Sequence, residues 1–316
     1  MAQSSTTRQK VIIGIHGLAN KPGEEVLYGY WRKSIEEGLR KNCGIARPRF
    51  EFSMAYWADL LYRNQQHDDR AYDFDDLYND EPYLPAPEGA LREYEDGMLD
   101  HLRALAQDTA EPLYNAIKGA GLNKLADMIL ARKLKDLAFY YDKRRRIRGK
   151  DRKFGVARKV LMGTLRAALE PHRDREIMLI AHSMGTIIAY DVLRDLGRGR
   201  SAFAVPCFVT IGSPLGLPHV KDRVYNERKG YAPAAPLRTP TVVTRSWKNY
   251  ADRRDPVAFD THLRGDYGEN RHQVRVEDDL VSNDYTSPAG KRNYHKSYGY
   301  LRTPELSRHV QAFLRG

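Results

Sequence analysis

Short, almost unbroken apolar runs recur along the chain, and between most of them there is room for a helix. Residues 10–15 (Lys-Val-Ile-Ile-Gly-Ile), 177–181 (Ile-Met-Leu-Ile-Ala) and 206–211 (Pro-Cys-Phe-Val-Thr-Ile) read as strands covered on both faces, because a half-exposed strand would alternate apolar with polar residues. Residues 50–57 alternate in part and predict a further strand. Residues 241–247 predict another, and 273–283 the last, with Val274, Val276, Leu280 and Val281. Leu27, Trp31, Ile35 and Leu39 recur at i, i+4 spacing and predict an amphipathic helix that ends near residues 42–44. Thr303 and Pro304 supply the N-cap and first residue of a terminal helix. This order of elements predicts an α/β fold with a mostly parallel, doubly wound sheet.

The pattern changes period most sharply at Ser183. Before it lies a buried strand; after it, from Thr186, the apolar residues Ile187, Ile188 and Leu193 fall at helical spacing. Ala181 and Gly185, two residues to either side, are small enough for the backbone to cross itself in so tight a turn. The serine stands at the positive end of the following helix, where backbone N–H groups can hold a developing oxyanion. That chemistry makes Ser183 a candidate nucleophile.

Between residues 63 and 154 the pattern belongs to neither strand nor core helix for long. Residues 65–88 crowd Asp68, Asp69, Asp73, Asp75, Asp76, Asp80 and Glu81 with Tyr72, Tyr78 and Tyr83. The spacing lacks that of a calcium loop, so a solvated acidic loop is expected, long enough to suggest a lid. Helices are expected at 90–118, 122–141 and 154–169. Residues 143–153 are dense in Lys and Arg and read either as a solvated connection between helices or as a contact with anionic membrane; no nucleic-acid-binding motif accompanies them. The expected domain division is a core of 1–62 and 155–316 with a helical cap inserted at 63–154.

Composition narrows the class. At 316 residues, with 41% hydrophobic residues, the chain can build one sizeable core with an insertion. Cys43 and Cys207 match no metal or redox spacing, which fits a reducing compartment. Residues 1–10 are polar with no apolar leader core, and no run of about 18 apolar residues occurs. A soluble, cytoplasmic protein outside the general secretory route is expected. The formal net charge of +11 favours anionic partners.

The strand-turn-helix Ala181-His182-Ser183-Met184-Gly185 resembles the nucleophile elbow of the α/β-hydrolase superfamily, in its lipase and esterase version, with Ala181 where that family usually has Gly. Residues 16–20 (His-Gly-Leu-Ala-Asn) resemble its H-G loop, and 212–214 its G-S-P element. The resemblance covers roughly residues 10–60 and 155–315. It implies an α/β-hydrolase fold lacking the family's two leading strands. It also implies an oxyanion hole from the N–H groups of Leu18 and Met184, with His16, Gly17 and Gly185 supporting the loops. The triad base falls between the last strand and last helix, where His295 lies; His262, His272 and His309 lie elsewhere. The acid comes from the loop after residue 247, where Asp255-Pro256-Val257 fits best and Asp252 is the alternative; Asp59 and Ser213 are read as structural. The implied activity is hydrolysis of a carboxylic ester, lipid esters among them, with no cofactor or metal. Transfer of the acyl group to an alcohol or amine, and a non-catalytic scaffold docking through the basic run, are the alternatives.

Overall fold

A computed structural model describes residues 8–18, 20–62, 82–88, 139–199, 203–227, 237–258, 260–290 and 292–316. The expected helices at 90–118 and most of 122–141, with most of the acidic stretch, lie outside the described residues. The chain runs β1 (Lys10–Ile15), α1 (Glu24–Cys43), β2 (Glu51–Ala55), β3 (Arg146–Arg148), β4 (Phe154–Val156), α2 (Ala157–Leu169), β5 (Glu176–His182) and α3 (Met184–Arg198). It continues through β6 (Cys207–Ile211), α4 (Pro218–Asn226), β7 (Leu237–Arg238), β8 (Ser246–Ala251), β9 (Tyr267–Gly268), β10 (Val276–Leu280), α5 (Ser297–Leu301) and α6 (Pro304–Arg315).

Six strands form one parallel sheet in the order β10-β8-β6-β5-β1-β2. The unbroken apolar runs have the cause the pattern implies. In β1, Val11, Ile13 and Ile15 enter one core cluster with α2 and α3, while Ile12 enters the opposite cluster with α1, α5 and α6; Ile177, Leu179 and Met178, Ile180 divide likewise in β5. Leu27, Trp31, Ile35 and Leu39 are all buried on α1 as their spacing requires, and Gly44 ends that helix at φ 67°. No described helix is long and apolar enough to cross a membrane.

Three expected elements differ. Residues 241–245 are not strand: Val243 N–H turns back to Pro240 O, and Asn270 caps both Pro240 O and Val243 O, so Val242 and Val243 plug the core from a loop. The strand begins at Ser246, and its polar Asn249 is buried because Thr210 and Asp278 bond it at 2.9 Å each. Residues 154–156 are strand rather than helix. They pair with β3 antiparallel, so the basic run forms a hairpin rather than a connection between helices, and the expected domain boundary between 154 and 155 falls within β4.

Two buried charge clusters fasten the layers. Glu37 of α1 gathers Arg302 Nη1 (3.2 Å), Tyr83 Oη (2.8 Å) and the Ala86 N–H (2.8 Å), which returns residues 82–88 to the core. On the other face, Asp191 of α3 accepts from Tyr140 Oη (2.9 Å) and Arg158 Nη2 (2.8 Å), and Arg158 also reaches Glu227 (2.9 Å), so α2 and the end of α4 are tied to α3. Leaving either carboxylate unpaired in the interior would be strongly destabilising.

His309 on α6 pairs with Tyr250 Oη at 3.1 Å; burial, with the charge of Lys248, pushes the imidazole down to about 4. The unfolded chain protonates a histidine near about pH 6.5. This group's contribution is therefore complete above that pH and is lost as the pH falls toward the folded value. Urea unfolding across this range should show His309→Asn flattening the decline by about 2 kcal/mol relative to wild type.

Candidate functional site

The sheet changes direction between β1 and β5: from β1 the chain moves outward to β2, and from β5 it builds the other half. In open parallel sheets the crevice beyond the C-terminal ends at such a reversal is where ligands sit. The register pairs Ile15 with Ala181, so the loop after β1 and the turn after β5 meet there. They meet closely. A Cβ on Gly17 would lie 2.6 Å from Ser183 Cβ, and one on Gly185 would lie 2.6 Å from His16 O, so only glycine fits at either position.

Ser183 itself has φ 53° and ψ −130°, a conformation that non-glycine residues adopt only under constraint. Its N–H bonds Ile211 O of β6 (3.2 Å) and its C=O accepts from Thr186 N–H (2.9 Å), which hold the turn from both sides. The strained turn directs the hydroxyl to His295, whose Nε2 lies 3.0 Å from Ser183 Oγ. On its other side, His295 Nδ1 donates to Asp255 Oδ2 at 2.9 Å. Ser183 and His295 are each only 4% exposed, so their interactions are weakly screened.

Asp255 is wholly buried, and burial alone would push its carboxyl up. The charge of His295 and hydrogen bonds from His295, Tyr300 Oη (2.7 Å) and Val257 N–H (2.7 Å) outweigh that and hold it below the usual carboxylate range. Asp252 serves the loop instead: it bonds the Arg254 guanidinium (2.9 Å) and accepts from Asn283 N–H (2.6 Å). An imidazole bridging a hydroxyl and a fixed carboxylate can take the hydroxyl proton and keep the resulting charge.

The supporting residues fall into place around this line. His16 donates from Nδ1 to Gly17 O (2.7 Å), accepts from Trp57 N–H at Nε2 (3.0 Å) and stacks on the Trp57 ring, so it braces the loop that carries Leu18. Met184 is the first residue of α3. Ser213 bonds Thr186 Oγ1 (2.9 Å) and Leu215 N–H (3.2 Å), a structural role. Asp59 lies 3.8 Å from Lys150, a polar contact beyond the end of β2.

Three further residues contribute: His182 and Gly212 lie inside quoted motifs that assign them no part, and Tyr300 lies in none. His182 donates from Nε2 to His295 O (2.8 Å) with the rings 4.7 Å apart; burial and His295, with Lys21 and Lys296 adding to them, keep it well below the ordinary histidine range and so neutral. Tyr300 bridges the acid loop, accepting Asp252 N–H (3.0 Å) while donating to Asp255. Gly212, at φ 54°, leaves room where a Cβ would stand 2.9 Å from Asp255 Oδ2. Each acts across a long sequence separation, where local periodicity is silent.

No family model and no curated protein matches the chain. Its class therefore rests on the architecture: a mixed α/β protein whose six-stranded parallel sheet is flanked by helices on both faces, an arrangement compatible with the α/β-hydrolase fold.

Backbone strain at a site of this kind amounts to about 1–3 kcal/mol. Ser183→Gly should relieve it and Ser183→Ala should not. Thermal and urea unfolding are expected to show the glycine variant more stable than the alanine variant by about 1 kcal/mol after glycine's entropy loss; equal stabilities would remove strain from the description.

Proposed function

We propose that this chain is an α/β-hydrolase that cleaves carboxylic esters through an acyl-enzyme on Ser183, acting in the cytoplasm. The observation that carries the reading is the continuous line from Ser183 Oγ through His295 to Asp255, at 3.0 and 2.9 Å, beyond the C-terminal ends of parallel strands. The free, separated cysteines Cys43 and Cys207 are in keeping with a reducing compartment.

In this mechanism His295 Nε2 takes the Ser183 proton as Oγ attacks the ester carbonyl. The tetrahedral oxyanion rests on the Leu18 and Met184 N–H groups. His295 then protonates the departing alcohol oxygen, leaving the acyl group on Ser183. Water attacks the acyl carbonyl in the second half, giving up a proton to His295, and as the intermediate collapses His295 returns that proton to Ser183 Oγ and the carboxylic acid is released. Asp255 fixes the imidazole tautomer and faces its transient charge. The charge of His295 and the hydrogen bonds from His295, Tyr300 and Val257 N–H outweigh burial and favour the ionised carboxylate that this role needs.

Labelling with a fluorophosphonate and mapping the adduct tests the nucleophile. Ser183 should carry the label, and Ser183→Ala should lose it together with at least about 10⁴-fold of ester hydrolysis, as removal of such a group does. Label elsewhere, or hydrolysis retained in a folded Ser183→Ala protein, would sink the reading and leave the scaffold alternative.

Asp255→Asn against Asp252→Asn tests the acid. The first should cost about 10⁴-fold in turnover because the amide favours the wrong tautomer. The second, whose carboxylate holds Arg254 and Asn283, should chiefly lower stability. The opposite ranking would reassign the acid.

A further inference from the structure

The sequence of the basic run fits either a solvated connection or a membrane contact, and its folded shape bears on the choice. Eight of the eleven residues 143–153 are Lys or Arg. All eight are exposed. In the β3–β4 hairpin, Arg148 stands opposite Phe154, Ile147 opposite Gly155, and Arg146 opposite Val156. Opposed residues share a face and neighbours alternate, so Ile147 lies on the face packed against the core, whereas Arg146, Arg148 and Phe154 lie on the outer face. Phe154 is 67% exposed, the one large hydrophobic side chain so exposed among the described residues. An aromatic ring held out between arginines costs solubility without serving the core.

The hairpin also stands at a particular edge. At its tip, Lys150 Nζ lies 3.4 Å from Glu24, at the start of α1, and 3.8 Å from Asp59, beyond β2. The same ammonium lies over the ring of Tyr56, which in turn touches His16. These residues belong to the loops at the C-terminal ends of β1 and β2, the edge that carries Ser183.

We propose that the β3–β4 hairpin docks the protein on anionic lipid surfaces, with Phe154 entering the interface and the surrounding cations meeting headgroups, so that the Ser183 edge faces the bilayer. Single-stranded nucleic acid would also meet cations, but its binding uses several stacking rings along a groove, and the described surface offers one. One inserted aromatic flanked by cations is the pattern of an interfacial anchor. The consequence that the substrate is a lipid-borne ester rests on the hydrolase reading; the docking does not.

The test uses the full chain with Ser183→Ala, so that hydrolysis plays no part. The three native tryptophans, Trp31, Trp57 and Trp247, are buried, so Phe154→Trp adds an exposed indole to report on the hairpin. Phosphatidylcholine vesicles containing phosphatidylserine should shift its emission to the blue, with quenching by brominated lipid, and vesicles of phosphatidylcholine alone should not. In sedimentation with the anionic vesicles, Phe154→Ala should weaken binding about tenfold. Arg146→Gln with Arg148→Gln should weaken it by about 5-fold per charge and reduce its salt dependence. An emission unchanged by anionic vesicles, sedimentation equal across variants, or binding to single-stranded RNA in place of vesicles would each overturn the proposal. Failure of the chain with Ser183 intact to take the fluorophosphonate, with docking of the Ser183→Ala chain intact, would instead count against the hydrolase reading alone.

Discussion

Parallel pairing of β1 with β5 aligns the ends of two strands that are far apart in the chain, and the site exists because both ends then turn in the same space. Neither turn could be made by a larger residue: Gly17 lies against Ser183, and Gly185 against the carbonyls of Ile15 and His16. Close approach of backbones thus replaces side-chain packing where the two turns meet. What packs instead is the pair of apolar layers above and below, which keep the strands from sliding. A slip of one residue in β1 would exchange Ile12 with its neighbours between the two cores and carry Gly17 away from Ser183.

The second constraint is electrostatic. Among the described residues no Lys or Arg is bonded to the buried Asp255, and neutral donors and an imidazole favour its ionised form. Glu37 and Asp191 are buried with arginines close by. The difference suits their positions: a strong cation on Asp255 would hold the carboxylate too tightly to share with His295, while the other two serve to join layers. His182 shows the complementary solution, a ring kept neutral so that it can donate to the backbone of His295 without adding charge beside it.

How much of this can be read from the sequence depends on where each residue's partners lie. Strands covered on both faces announce themselves, as residues 10–15 and 177–181 do, because every position must be apolar. β8 does not, since Lys248 and Asn249 are polar and are satisfied sideways by Asp279, Thr210 and Asp278. The hairpin is likewise hidden: an arginine-rich strand paired over only three residues has neither the hydropathy nor the length of a strand. Ser183 is legible in the change of period and the small residues beside it, His295 and Asp255 only in the loops that the family resemblance implies, and the geometry brings the three together. The parts played by Tyr300, His182 and Gly212 are not legible, even where a motif contains the residue, because a phenol, a ring or a missing Cβ matters there only when another part of the chain arrives.

The arginine at the second position of α2 has a mechanical effect beyond its charge. Arg158 begins two residues after β4 ends, and through Asp191 and Glu227 it fastens that junction to the helix that follows Ser183. The exposed face of the hairpin is therefore preorganised: whatever settles on it meets a body already joined to the nucleophile helix and need not freeze a loop first. For the same reason a push on the outer strand is passed through Arg158 to α3 rather than absorbed within the hairpin.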